Sequence, residues 1–432
     1  MGRALEQGGR RKLMSKSDGR VEVFHLGWRD NGDGLDVALA VNRLLSSGSR
    51  AWRMAVPQSP ADAGDYLLEL VPHQRRALAA LGVAATPWRT DIPPDAQALA
   101  RPAVRLFAGT ASKFPYFAYY ALCLLRLGID YVPCDGAALA SGTLDGANIL
   151  ILPGGFATWG IDAAENADGA DARVRAFLAE GGTAIGSCGG AFYLSSGRPG
   201  WTGTASAKPL YTHEYLQSGV GIVTLAMQPG PIGLGCPPTI EVPYYHGPIY
   251  DVLGPGIKVA ASFHALSVPA RLAIDNPLDR DRFTREMAGT PAILSVAGGR
   301  GRAILFSPHP EMGDLVRKYI ALDGYVRHYL PIRGFETMRD TLRHYRIVDA
   351  PSFRLVHNAV HELMVHARPV QDTVTPPARR AHELPALCRR AASALPDPGS
   401  GEEADLLRDI AAGIGARIDP AARRAEALMH HA

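Results

Sequence analysis

Apolar and polar positions recur with two periods along this chain. VEVFHLGW (21–28) alternates as a half-buried strand does. DNGDGLD then reads as a turn, and LDVALAVNRLLSSG holds apolar residues at helical spacing up to Gly48. SRAWRMAV and DYLLELV follow as strands and HQRRALAALG as a helix, before a proline-rich exit, TDIPPDAQALARP. The pattern predicts a small α/β domain over residues 21–100. Residues 1–20, polar and basic, form an expected disordered leader.

From Val104 the pattern becomes that of βαβ units, whose strands are buried on both faces and joined by helices. VRLFAG, IDYVPCD, ANILILPGG and TAIGSCGG are strands; FPYFAYYALCLLRLG and ADARVRAFLAEGG are helices. Residues 200–255, rich in Gly, Pro and Tyr, read as an insertion or a β-layer covering the sheet. IKVAASF, AILSVAGG and GRAILFSPHPEMGD add strands, the last ending abruptly in polar residues. The expected class is α/β, with a mostly parallel sheet in a domain spanning 101–330. A helical extension over 331–432 contains a Pro-rich linker at 369–400 and is the candidate docking element for a protein partner.

Composition narrows the function classes. A chain of 432 residues, 47% hydrophobic, buries a sizeable core in two or three domains. Its 45 basic and 42 acidic residues are interspersed, so neither nucleic acid nor an acidic membrane surface is an expected partner. The five cysteines are scattered without a CxxC pair, which disfavours a disulfide framework or zinc site and favours a reducing, cytoplasmic setting. No 18-residue apolar run is present to span a bilayer. His357, His361 and His366 lack the HExxH spacing and read as part of an amphipathic helix, so no metal is expected.

Reactive groups in open parallel sheets collect at the carboxyl ends of strands. Three motifs fall there: PGG (153–155), GSCGG (186–190) and SPHPE (307–311). GSCGG fits a nucleophile elbow, where a sharp strand-to-helix turn lifts Cys188 clear of the sheet and glycines tolerate the backbone. The bland alternative is a small residue in a tight turn. A thiol nucleophile benefits from an imidazole, and His309 ends the last sheet strand with Glu311 two residues on to orient its ring. Gly154, Gly155 and Gly189 offer backbone N–H groups to a developing oxyanion. Tyr244, Tyr245 and His246 either lean over this pocket or form a half-buried hairpin edge, and Trp159 is pocket wall or core.

The ordered set PGG, GxCxG and HPE, covering about residues 102–315, resembles the class I glutamine amidotransferase superfamily, which includes DJ-1-like proteins. Within it, GSCGGAFY and YYHGPIY (244–250) look most like the N-terminal domain of fungal biotin-protein ligases. The resemblance implies a flavodoxin-like sheet and a Cys-His-Glu triad, carried over to Cys188, His309 and Glu311. Ala191, Phe192 and Tyr193 stand where glutaminases carry a substrate-holding Gln. The expected activity is a cysteine-nucleophile hydrolase or acyl/amido transferase on a small-molecule or peptide amide, without metal or organic cofactor. The alternatives are a non-catalytic ligand-binding or assembly module and a DJ-1-like redox sensor.

Overall fold

Alternate residues of four short strands enter two different apolar layers. Val104, Leu106, Ile149, Ile151, Ile185, Ile304 and Phe306 join one cluster. Phe107, Leu150, Leu152, Ala184, Ala303 and Leu305 join the other. A period of two with both faces apolar is what a sheet covered by helices on each side requires. The computed structural model describes residues 21–32, 35–112, 116–155, 160–210, 219–269, 278–298, 301–314, 316–317, 349–368 and 370. The expected leader, Trp159, nearly all of the helical stretch at 315–346 and the chain from 371 onward lie outside them.

The fold is mixed α/β around a nine-stranded mixed sheet. Its parallel part runs Tyr131–Cys134, Val104–Phe107, Ile149–Leu152, Thr183–Ser187, Gly301–Phe306, which in chain order is 2-1-3-4-5. Pro291–Gly298, Ile257–Pro269, Val220–Met227 and Thr239–Tyr245 then extend the sheet antiparallel. The expected mostly parallel sheet is thus only about half parallel, and residues 220–245 lengthen it sideways instead of covering it. Hairpins explain the difference: Val220–Met227 with Thr239–Tyr245, and Pro291–Gly298 with Gly301–Phe306, are joined by connections too short for a parallel crossover. Ala207–Pro209 and Tyr250–Leu253 form a separate two-stranded ribbon.

Helices Tyr116–Arg126 and Ser352–His366 cover one face of the main sheet. Gly136–Ala140, Ile161–Glu165, Ala170–Ala179 and Gly189–Leu194 cover the other. A second sheet, antiparallel throughout, orders Thr86–Pro87, Glu22–Leu26, Tyr66–Leu70, Ala51–Arg53 and Gln97–Ala98. Through helix Leu35–Ser46 it packs into the same apolar layer as Ser352–His366.

At that junction four buried polar side chains satisfy one another. His361 Nε2 lies 2.8 Å from Asn42 Oδ1, an acceptor, so this nitrogen carries the proton. Its Nδ1 then accepts from the Tyr66 hydroxyl at 2.9 Å, and the Tyr66 oxygen accepts from His357 Nε2 at 2.6 Å. His357 Nδ1 is left to accept from Asn42 Nδ2 at 3.3 Å, whose other proton goes to Leu127 O at 2.7 Å. Every donor meets an acceptor only when both imidazoles are neutral. Burial, the largest cause in each case, accordingly holds both well below the usual histidine range; neighbouring cationic groups act the same way.

Candidate functional site

Strand Thr183–Ser187 passes directly into helix Gly189–Leu194 with Cys188 between them at φ 49° and ψ −108°. Of the described residues outside glycine, only Asn166, Cys188 and His246 have positive φ. The flanking glycines are steric requirements. A Cβ on Gly186 would meet the Gly190 carbonyl at 2.6 Å, and one on Gly190 would run into the carbonyl of Leu152. The G-x-C-x-G spacing therefore encodes a turn so tight that its second glycine lies against the neighbouring strand. Cys188 N–H donates to Phe306 O at 2.9 Å and Gly190 N–H to Pro153 O at 3.1 Å, fixing the turn on both sides.

The strand pair Thr183–Ser187 and Gly301–Phe306 sets the second component. Three residues past that strand, His309 is anchored by its N–H to Pro243 O at 2.9 Å. Its ring is fully buried, with Nδ1 2.8 Å from Glu311 Oε1 and Nε2 3.4 Å from Tyr245 O. Cys188 Sγ, on a residue 5% exposed, donates to the same Tyr245 carbonyl at 3.0 Å, so thiol and imidazole meet at one oxygen. Burial alone would lower the His309 pKa. The Glu311 carboxylate, with the charge and hydrogen bond of Cys188, outweighs it and lifts the imidazole to about 10.

The other sequence-derived candidates divide. Gly154 is part of the site: a Cβ there would meet His309 Cε1 at 2.5 Å and Tyr116 Cδ1 at 2.7 Å. Gly155, at φ 64°, follows it in the glycine-favouring region. Gly189 opens the short helix after the thiol. Tyr245 contributes its carbonyl to the centre, while its ring faces Tyr116 at 6.2 Å. The His246 ring turns aside, its Nδ1 accepting from Gly219 N–H at 3.1 Å. Burial, then the charges of His309 and Arg282, drop its pKa to about 4. Phe192 packs against Trp201 in the apolar layer, with ring centroids 5.7 Å apart.

Three neighbours escaped the sequence reading. Tyr116 lies against the His309 ring, centroids 5.4 Å apart. Ser187 Oγ donates to Glu311 Oε2 at 3.1 Å, and the Tyr120 hydroxyl lies 2.5 Å from Ser187 Oγ. Tyr116 and Tyr120 are four apart on one helix and so share a face, the one signal that FPYFAYYALCLLRLG offered beyond its apolarity. Among the described residues no group of three or more His, Cys, Asp or Glu is placed to hold a metal ion. No helix among them is long and apolar enough to cross a membrane.

The family model for CobB/CobQ-like glutamine amidotransferase domains matches residues 119–214, which contain Cys188. No curated relative matches the chain in sequence. Solved structures similar to it include a glutamine amidotransferase with 19% identity over 49% of this chain and 91% of that one, at a TM-score of 0.33. A putative GMP synthase protein from Thermoplasma acidophilum shows 17% identity over 49% and 85%, TM-score 0.33. A glutamine amidotransferase from Thermotoga maritima shows 12% over 60% and 98%, TM-score 0.37. At TM-scores this low, none establishes a shared fold.

Proposed function

We propose that this chain is a cysteine-nucleophile hydrolase or acyl/amido transferase acting on an amide-type bond of a small molecule or peptide. The observation that carries this reading is Cys188, held at positive φ with its sulfur on the same Tyr245 carbonyl as a buried, Glu311-paired imidazole. The match of residues 119–214 to an amidotransferase domain supports it. In the finer reading the 2-1-3-4-5 strand order is flavodoxin-like, since that doubly wound order places strand-end groups at one crevice. GSCGGAFY and YYHGPIY carry the likeness to the biotin-protein ligase N-terminal domain. A domain division at residue 100 has the separation of the two sheets in its favour, and a reducing, cytoplasmic setting suits the free thiols of Cys123, Cys134, Cys188 and Cys236. The C-terminal helices would dock a protein partner.

In this reading the thiol proton passes to His309 Nε2, whose N–H is held by the Tyr245 carbonyl. The Cys188 thiolate attacks the substrate carbonyl carbon and a C–S bond forms. The displaced electron pair moves onto oxygen, where the Gly155 and Gly189 N–H groups meet it. The C–N bond then breaks as Nε2–H protonates the leaving nitrogen. Water, deprotonated by the same Nε2, attacks the thioester and the thiol is regenerated; in a transferase an amine takes the place of water. Glu311 keeps Nδ1 protonated throughout. Phe192 packs into the core where a glutaminase would bind its substrate with Gln, which disfavours free glutamine as the substrate amide.

Iodoacetamide labelling across pH tests the site. Cys188 is expected to react faster than a free thiol below pH 8, and His309→Ala to remove that advantage by about tenfold or more. A free-thiol profile unchanged in His309→Ala would leave the second reading, a non-catalytic module, which the carbonyl of Tyr245 over the 5% exposed Cys188 favours. Selective peroxide oxidation of Cys188 without any acyl turnover would indicate the redox sensor.

A further inference from the structure

We infer that Ser187 and Tyr120 form a positioning relay that fixes the Glu311 carboxylate against His309. The inference rests on the proposed triad for its consequence in catalysis, but its geometry stands apart from whether Cys188 is reactive.

Glu311 is 1% exposed, and both its oxygens are engaged: Oε1 with His309 Nδ1 at 2.8 Å, Oε2 with Ser187 Oγ at 3.1 Å. An ionised carboxylate only accepts, so Ser187 must spend its single proton on Oε2. The Tyr120 hydroxyl, 2.5 Å from Ser187 Oγ, must then be the donor to serine. The direction of every bond is thereby fixed: Tyr120 O–H to Ser187, Ser187 O–H to Glu311, His309 Nδ1–H to Glu311. The far end of the relay cannot ionise and reverse it. Burial first, then the Glu311 charge, hold the Tyr120 pKa well above the phenol range, against a smaller opposing effect of the Ser187 hydrogen bond.

The fold places the relay by register. Ser187 is the last residue of the strand that leads into Cys188, so one turn presents the thiol to the Tyr245 carbonyl that the imidazole also meets, and the preceding hydroxyl to the carboxylate behind it. Tyr120 is on the helix whose Tyr116 packs on the opposite partner, the His309 ring. Without the relay, Oε2 would be a buried acceptor with no donor, and the carboxylate would no longer be held in place against Nδ1. A carboxylate turned away from Nδ1 favours the imidazolium less, so the His309 pKa must fall. Other ionisable groups facing this pair are Cys188 and His246 across the site and Tyr116 and Cys123 on the helix side, with Asp349 beyond Cys123.

The test is an NMR titration of the His309 ring in the full chain, as wild type, Ser187→Ala, Ser187→Thr and Tyr120→Phe, beside the Cys188 alkylation profile. Ser187→Ala is expected to weaken proton binding by His309 about tenfold or more, one pKa unit. Tyr120→Phe, which removes one hydroxyl from an unchanged ring, should shift it in the same direction by less. Ser187→Thr, which keeps the donor, should restore the wild-type titration. A His309 titration unmoved by Ser187→Ala and Tyr120→Phe would overturn the relay. Should Ser187→Ala not fold, Tyr120→Phe alone decides. If instead the His309 titration shifts as expected while Cys188 alkylates as a free thiol, the relay stands and the proposed function falls.

Discussion

Cys188 at φ 49° carries a Cβ where the backbone favours none, a strain of about 1–3 kcal/mol. Cys188→Gly releases that strain while Cys188→Ala keeps it. Urea denaturation should therefore find Cys188→Gly more stable than Cys188→Ala by about 1 kcal/mol after the greater unfolded-state entropy of glycine is allowed for. Both variants lose thiol labelling at this position. Gly190→Ala is expected to behave oppositely, since its Cβ meets a backbone carbonyl that cannot rotate away. A loss of more than about 3 kcal/mol, or failure to fold, is the outcome to check by thermal unfolding. The glycine spacing was legible in the sequence because steric demands leave few substitutes. Ser187 was not, although it adjoins Cys188, because its importance depends on which carboxylate the last sheet strand brings beside it.

The helix Ser352–His366 shows what one element reveals and conceals. Its apolar spacing predicted an amphipathic helix, and the helix forms. The pattern could not show that His357 and His361 would lie on its buried side, because their partners Asn42 and Tyr66 stand some 300 residues earlier. Tyr66 both donates and accepts in this network, so Tyr66→Phe strands a nitrogen on each imidazole. A loss of about 2–4 kcal/mol is expected in chemical denaturation. The strands of residues 220–298 were visible as short strand-like segments, but their antiparallel pairing at the sheet edge followed from hairpin length, which periodicity does not report.

Across the whole molecule, buried histidines set opposite limits to stability. His246, His357 and His361 have folded pKa values below their unfolded ones, so the unfolded chain binds protons first as the solution is acidified. Their stabilisation is complete above about pH 6.5; that of His246 is lost as pH falls toward about 4, and that of His357 and His361 is lost on acidification too. His309 is shifted upward, so its contribution is complete below about pH 6.5 and is lost as pH rises toward about 10. Denaturation midpoints measured from pH 4 to 10 should pass through a maximum near neutrality. In His246→Gln the acid limb should be shallower, and in His309→Gln the alkaline one.

The strand Gly301–Phe306 separates the parallel half of the sheet from the antiparallel half and, among the described residues, is the strand that pairs with both. On a ribosome, strands 104–187 and 220–298 emerge as two unjoined sheets, and their pairing waits for a segment made after both. The same segment leads into His309 and Glu311. A nascent chain therefore carries Cys188 for more than a hundred residues of synthesis before His309 and Glu311 exist, and the proposed centre assembles only when the two halves close on their late keystone.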